Sequence, residues 1–120
     1  MRPLIRPATT QDIPLIHRLL RDYANDGRLL ARPESEIENR LPGFVVSEHE
    51  GEVVGCGALE VFTKDLGEVR SLAVVPESHG NGHGRTMVEQ IEAMARDRGL
   101  KRIIALTYVP GFFRKLGYHI

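Results

Sequence analysis

The sequence predicts an α/β fold in which helices flank a mixed sheet. Three observations carry this. Short apolar runs with strand character alternate with amphipathic stripes of helical period. Glycine and proline punctuate the boundaries between them. A length of 120 residues, 42% hydrophobic and 27% charged, suits one soluble domain with one substantial core, here taken as residues 1–120.

The elements follow in order. Leu4 to Ala8 is a short first strand. Thr9 and Thr10 offer helix N-caps, Asp12 lies in the first turn, and Pro14 is early enough to be tolerated. Ile13, Ile16, Leu19, Leu20 and Tyr23 recur at helical spacing, which predicts a helix over 11–25 that ends at Gly27. A shorter helix begins near Pro33, includes Ile37 and Leu41, and stops at Pro42-Gly43. Residues 44–48 and 52–62 read as a β-hairpin across His49-Glu50-Gly51. Gly55 and Gly57 in its second arm point to bending or to close backbone approach. A polar connection over 63–67 leads to a strand over 68–75, ended by Pro76. Met87, Val88, Ile91, Met94 and Ala95 form an apolar stripe on a helix over 84–98, closed by Gly99. A buried strand over 101–108, a short helix over 111–116 and the start of a further strand at Tyr118 complete the chain.

Composition narrows the function classes. Sixteen basic residues balance sixteen acidic ones, which argues against a broad nucleic-acid or anionic-membrane surface. The single cysteine, Cys56, cannot form an intramolecular disulfide, and its place in a hairpin strand suits a buried structural thiol. The first residues, MRPLIRPATTQD, lack the apolar core of a signal peptide, and no segment approaches the roughly 20 apolar residues that span a bilayer. A cytoplasmic location is therefore expected.

The stretch that invites chemistry is His79-Gly80-Asn81-Gly82-His83-Gly84, between a strand and a helix start. Amide groups in the first turn of a helix have no internal partner, and glycines let an anion approach the backbone. Strand, glycine-rich turn and helix start together make a phosphate or pyrophosphate site. The spacing fits neither the Walker nor the dinucleotide fingerprint. A plain flexible turn is the alternative. A metal pair formed by His79 and His83 is weaker, because no further Cys/His cluster completes it, and no metal is expected.

Residues 67–100, GEVRSLAVVPESHGNGHGRTMVEQIEAMARDRGL, resemble the core of a GNAT-superfamily N-acetyltransferase. That family's loop signature is Arg or Gln, two residues, Gly, one residue, then Gly or Ala. Gly82 and Gly84 match it, and His79 stands where Arg or Gln is usual. Within the superfamily the chain is similar to the acetyltransferase domain of N-acetylglutamate synthases, through RPAT…DI, GRLLAR, EGEVVGCGAL, GEVRSLAVVPE and LKRIIALTY…FFRKLGY. The resemblance implies a GNAT fold with a mostly antiparallel mixed sheet, here lacking the last strand or strands. It implies acetyl-CoA as cosubstrate and an amine acceptor, glutamate, in arginine biosynthesis. The missing strand implies a shortened chain or completion by a partner subunit, as in a homodimer.

The resemblance also assigns roles. Glu68 is the candidate general base, taking the amine proton directly or through a water. A backbone amide around Leu72, Ala73 and Val74 is the oxyanion donor, and the pantetheine arm pairs with this strand. His79, Gly80, Asn81, Gly82, His83, Gly84 and Arg85 cradle the pyrophosphate, and Phe112 is counted with them. The family often places a tyrosine near the leaving thiolate. Phe113 stands there and cannot donate a proton, so Tyr108 or water takes that role. Arg32, in GRLLAR, matches the family's carboxylate-binding arginine; apart from the resemblance, Arg70, on the same strand face as Glu68 by period-two alternation, is a second candidate and Lys64 a third. Two other functions remain open at this level: a GNAT enzyme for another small amine or a protein N-terminus, and a non-catalytic acetyl-CoA-binding module.

Overall fold

The structure is a computed structural model that describes residues 3–25, 32–106 and 110–119. Among the described residues five strands lie in sequence order in one sheet: β1 (Leu4–Pro7), β2 (Phe44–His49), β3 (Glu52–Val61), β4 (Leu66–Val74) and β5 (Arg102–Ala105). The first four pair antiparallel, and β4 pairs with β5 in parallel. A parallel pair needs a crossover, supplied by helix α3 (His83–Asp97). Helices α1 (Ile13–Asn25) and α2 (Glu34–Asn39) precede β2, and α4 (Pro110–Lys115) follows β5.

Two apolar layers sandwich the sheet. On one face, Ile13, Ile16, Leu20 and Ile37 of α1 and α2 meet Phe44, Val46, Cys56, Ala58 and Ala73. On the other, Met87, Val88 and Ile91 of α3 and Phe113 of α4 meet Val45, Leu59, Val69 and Val74. Strand β2 is buried on both faces, so Phe44-Val45-Val46 is a continuous apolar run rather than an alternating one. Each fully buried aliphatic side chain contributes about 1.5–3 kcal/mol. Gly55 and Gly57 serve close approach: a Cβ there would lie 3.0 Å from Met87 and 3.1 Å from Ile91 of α3.

Local chemistry explains the ends. Thr9 and Asp12 form a capping box that starts a single 3-10 turn (Thr10–Asp12) before α1. Asp12 also pairs with Arg6, whose guanidinium holds its carboxyl below the usual range. The β2–β3 turn is Glu50-Gly51, both with positive φ, as a two-residue hairpin loop of right-handed twist requires.

Several boundaries differ from the sequence expectation. Leu41 lies in a 3-10 turn (Leu41–Gly43) beyond α2. Strand β4 begins at Leu66, two residues early, because β5 pairs with Leu66 and Gly67. The last strand expected at Tyr118 is absent among the described residues: Tyr118 instead stacks edge-on against Phe113 and donates to Glu92 at 2.9 Å. Gly27, the expected end of α1, lies outside the described residues.

Candidate active site

The site is organised by an irregularity in β4. Cys56 pairs with Ala73 but Ala58 pairs with Arg70, so β4 carries one extra residue between them. Ser71 absorbs it with φ 57°, a left-handed conformation uncommon for a side-chain-bearing residue. The bulge changes the parity of the strand. Before it, Glu68 and Arg70 face α1 and α2, opposite Glu60 and Ala58; after it, Ala73 takes that face and Val74 the other. Sequence alternation alone places Glu68 and Arg70 together, as observed, but it carries no sign of the shift.

The half before the bulge is a buried charged cluster. Glu68 is 4% exposed, and Arg70 Nε lies 3.5 Å from its Oε1. Burial raises the Glu68 pKa above the ordinary carboxylate value; Arg70 opposes the rise and the neighbouring Glu60 adds to it. Arg32, 5% exposed, donates through Nη1 to Ser71 Oγ at 2.8 Å and through Nη2 to Glu36 at 2.8 Å and Glu60 at 3.5 Å. Its guanidinium carbon lies 5.6 Å from the centre of the Phe44 ring. The two expected carboxylate-binding arginines thus meet the expected base in one cluster. Lys64 is exposed in the β3–β4 connection.

Glu60 is the residue that sequence reasoning missed. It is 6% exposed and receives Arg40 Nη1 at 2.9 Å, Arg70 Nη1 at 3.5 Å and Arg32 Nη2 at 3.5 Å. An acid set near the end of the apolar run VVGCGALEV was the available signal, since a buried carboxylate demands partners.

The half after the bulge offers backbone. Strand β5 pairs with β4 only through Val69, so beyond that point this edge of β4 has no strand partner among the described residues. Val75 N–H points to Val54 of β3, which turns the amide and carbonyl of Val74 outward. The Tyr23 hydroxyl covers both, accepting from Val74 N–H at 3.0 Å and donating to its carbonyl at 2.6 Å. His79 Nε2 reaches the same carbonyl at 2.8 Å and the Tyr23 oxygen at 3.0 Å. The His79 ring is therefore folded back on the strand end.

Past a 3-10 turn (Pro76–Ser78), the glycine loop leads into α3. Gly80 and Gly82 have φ +81° and +85° with nothing near a notional Cβ, so backbone conformation is what requires glycine there. No acidic side chain lies in the first turn of α3, leaving the positive end of its dipole uncompensated. His83 is buried, its Nδ1 bonded to Ser47 Oγ of β2, so only its backbone faces the loop. Burial, with His49 nearby, lowers its pKa. Its partner in the metal reading, His79, is exposed, and no group of three or more metal-ligating side chains occurs among the described residues. Asn81 and Arg85 are exposed, and Arg85 pairs with Glu89 at 3.6 Å. Phe112 approaches Gly84, where a Cβ would lie 3.2 Å from its ring. Phe113 is buried against Tyr118, and Tyr108 lies outside the described residues. Cys56 is fully buried, its thiol pushed up to about 12 by burial, as a structural cysteine should be.

Pairing between β4 and β5 ends at Val69, just before the bulge, and β4 runs on through the glycine loop to a helix start without acidic side chains. Residues 13–118 match the acetyltransferase (GNAT) family, and the chain belongs to it. It is 40% identical over 120 residues to an amino-acid acetyltransferase of Mycobacterium tuberculosis, covering 98% of this chain and 68% of that protein. An uncharacterized N-acetyltransferase of Chlorobaculum tepidum is 37% identical over 114 residues, covering 95% and 74%. Among solved structures, a Mycobacterium tuberculosis protein in complex with CoA and NLQ superimposes with TM-score 0.91 at 40% identity, covering 96% of this chain and 70% of that one. The N-acetylglutamate synthase of Neisseria gonorrhoeae, complexed with coenzyme A and N-acetyl-glutamate, gives TM-score 0.91 at 35% identity. There the match covers 97% of this chain but 28% of that one. The chain is thus an acetyltransferase with acetyl-CoA as donor, and its outward β4 edge and uncompensated α3 start suit that molecule's amide-bearing arm and pyrophosphate. No described helix is long and apolar enough to cross a membrane.

Proposed function

We propose that the chain transfers acetyl to the α-amine of an amino acid, with glutamate as acceptor, a reaction that serves arginine biosynthesis. The carrying observation is the buried Glu68 beside Arg70 and Arg32, on the strand that turns the Val74 backbone outward six residues later. Acetyl-CoA supplies an activated thioester. Glu68 accepts the amine proton, directly or through one water, as the C–N bond forms and the C–S bond breaks. Its raised pKa brings its basicity nearer to neutral pH, where a general base works best. A backbone amide within Leu72–Val74 faces the developing oxyanion. The amides of 80–85 hold the pyrophosphate, and Phe112 lines the loop at Gly84. Arg32 and Arg70 receive acceptor carboxylates. Water, or Tyr108, returns a proton to the thiolate. Relatives named as amino-acid acetyltransferases, and a neighbour bound to N-acetyl-glutamate, support the acceptor class.

The test is acetyl-CoA consumption across a panel of amino acids and polyamines. Turnover on glutamate is expected. Turnover on polyamines but not on glutamate overturns the acceptor.

A further inference from the structure

Glu60 is the common counter-ion of three arginines from three segments. Arg32 precedes α2, Arg40 follows it, and Arg70 lies on β4. It also stands directly across from Glu68 in the β3–β4 register. Arg32, Arg40 and Arg70 are thus balanced within the fold by Glu36, Glu60 and Glu68. A carboxylate-bearing acceptor therefore meets guanidinium groups already engaged by an internal carboxylate.

We propose that Glu60 is the specificity-determining residue of the acceptor site, setting how many carboxylates the acceptor can carry by occupying the arginines that would bind them. Its oxygens hold Arg40 and Arg70, the two partly exposed members, and an incoming carboxylate must share or displace that contact. The inference rests on the amino-acid acceptor proposed above. It makes Glu60 a positioning residue, acting through the arginines and through Glu68. The charged and polar groups facing Glu68 among the described residues are Arg70 on its own strand, Glu60 on β3, Arg32, and the Leu106 backbone beyond β5.

The experiment compares kcat/KM for glutamate and for its monoamide, glutamine, in wild type and in Glu60→Gln. Releasing the arginines should raise the glutamate-to-glutamine ratio about tenfold, roughly what one charge-assisted hydrogen bond is worth. Removing a negative neighbour should also move the acidic limb of the pH profile to lower pH, because Glu68 then ionises more readily. Glu60→Asp, which keeps the charge, should retain the wild-type ratio. An unchanged ratio, or equal loss on both acceptors with an unmoved acidic limb, overturns the proposal. A wild type that acetylates neither amino acid overturns the acceptor reading itself, a result distinct from an active wild type whose ratio ignores position 60. If Glu60→Gln fails to fold, Arg40→Gln at the exposed partner gives the reverse test: glutamate should lose ground to glutamine, and no change overturns the assignment.

Discussion

Strand β4 has two halves that offer a ligand different things. Before Ser71 it presents charged side chains, Glu68 and Arg70, buried among Glu60 and Arg32. After Ser71, Ala73 and Val74 pack into opposite cores, and what faces outward is the Val74 backbone. The first half depends on residue identity. The second depends on geometry, fixed by one left-handed residue and a glycine loop. Chemistry and acceptor choice should therefore be sensitive to single side chains, whereas donor binding should yield mainly to changes in backbone conformation.

The largest expected effect comes from Glu68→Gln. With the base gone but the shape kept, kcat should fall by about 10²–10⁴-fold, the usual contribution of a general base, at unchanged acetyl-CoA affinity. A steady-state comparison checks it, and loss of donor affinity instead would blur the two halves. Next is Gly82→Val. A β-branched residue at φ +85° costs about 1–2 kcal/mol, and the apparent affinity for acetyl-CoA should fall roughly tenfold with kcat largely kept. Ser71→Ala should be milder. It loses the hydrogen bond to Arg32 while keeping the left-handed backbone, lowering unfolding free energy by about 1 kcal/mol in urea titration.

The smallest effect at neutral pH belongs to His83, which ties the glycine loop to β2 through Ser47. Its folded-state pKa is lowered, so the fold favours the neutral ring. That contribution is present above about pH 6.5, the unfolded value, and is lost as pH falls through the lower folded value. Unfolding free energy should therefore decline below about pH 6.5, and His83→Gln should lack that part of the decline.

Much of the fold was legible because local signals agreed with tertiary need. The α1 and α3 stripes, the Glu50-Gly51 turn and the capping residues Thr9 and Asp12 each act within a few residues. Glu68 and Arg70 were placed together by strand alternation. What the sequence hid is long-range. Nothing in RSLAV marks Ser71 as the residue that turns left-handed. The hydroxyl of Tyr23 reaches Val74 across 51 positions, and three arginines converge on Glu60 from separate elements. His83 looked like a loop side chain because its position on α3 faces Ser47 only once α3 has packed against the sheet.

The most direct test is a crystal structure of the chain with CoA and N-acetylglutamate. In that complex the CoA arm should lie along Leu72–Val74, taking the Val74 amide from Tyr23, with the product nitrogen within hydrogen-bond reach of Glu68 or one water away. An ordered complex that leaves the Tyr23–Val74 contact intact, or holds the product nitrogen away from Glu68, would contradict it.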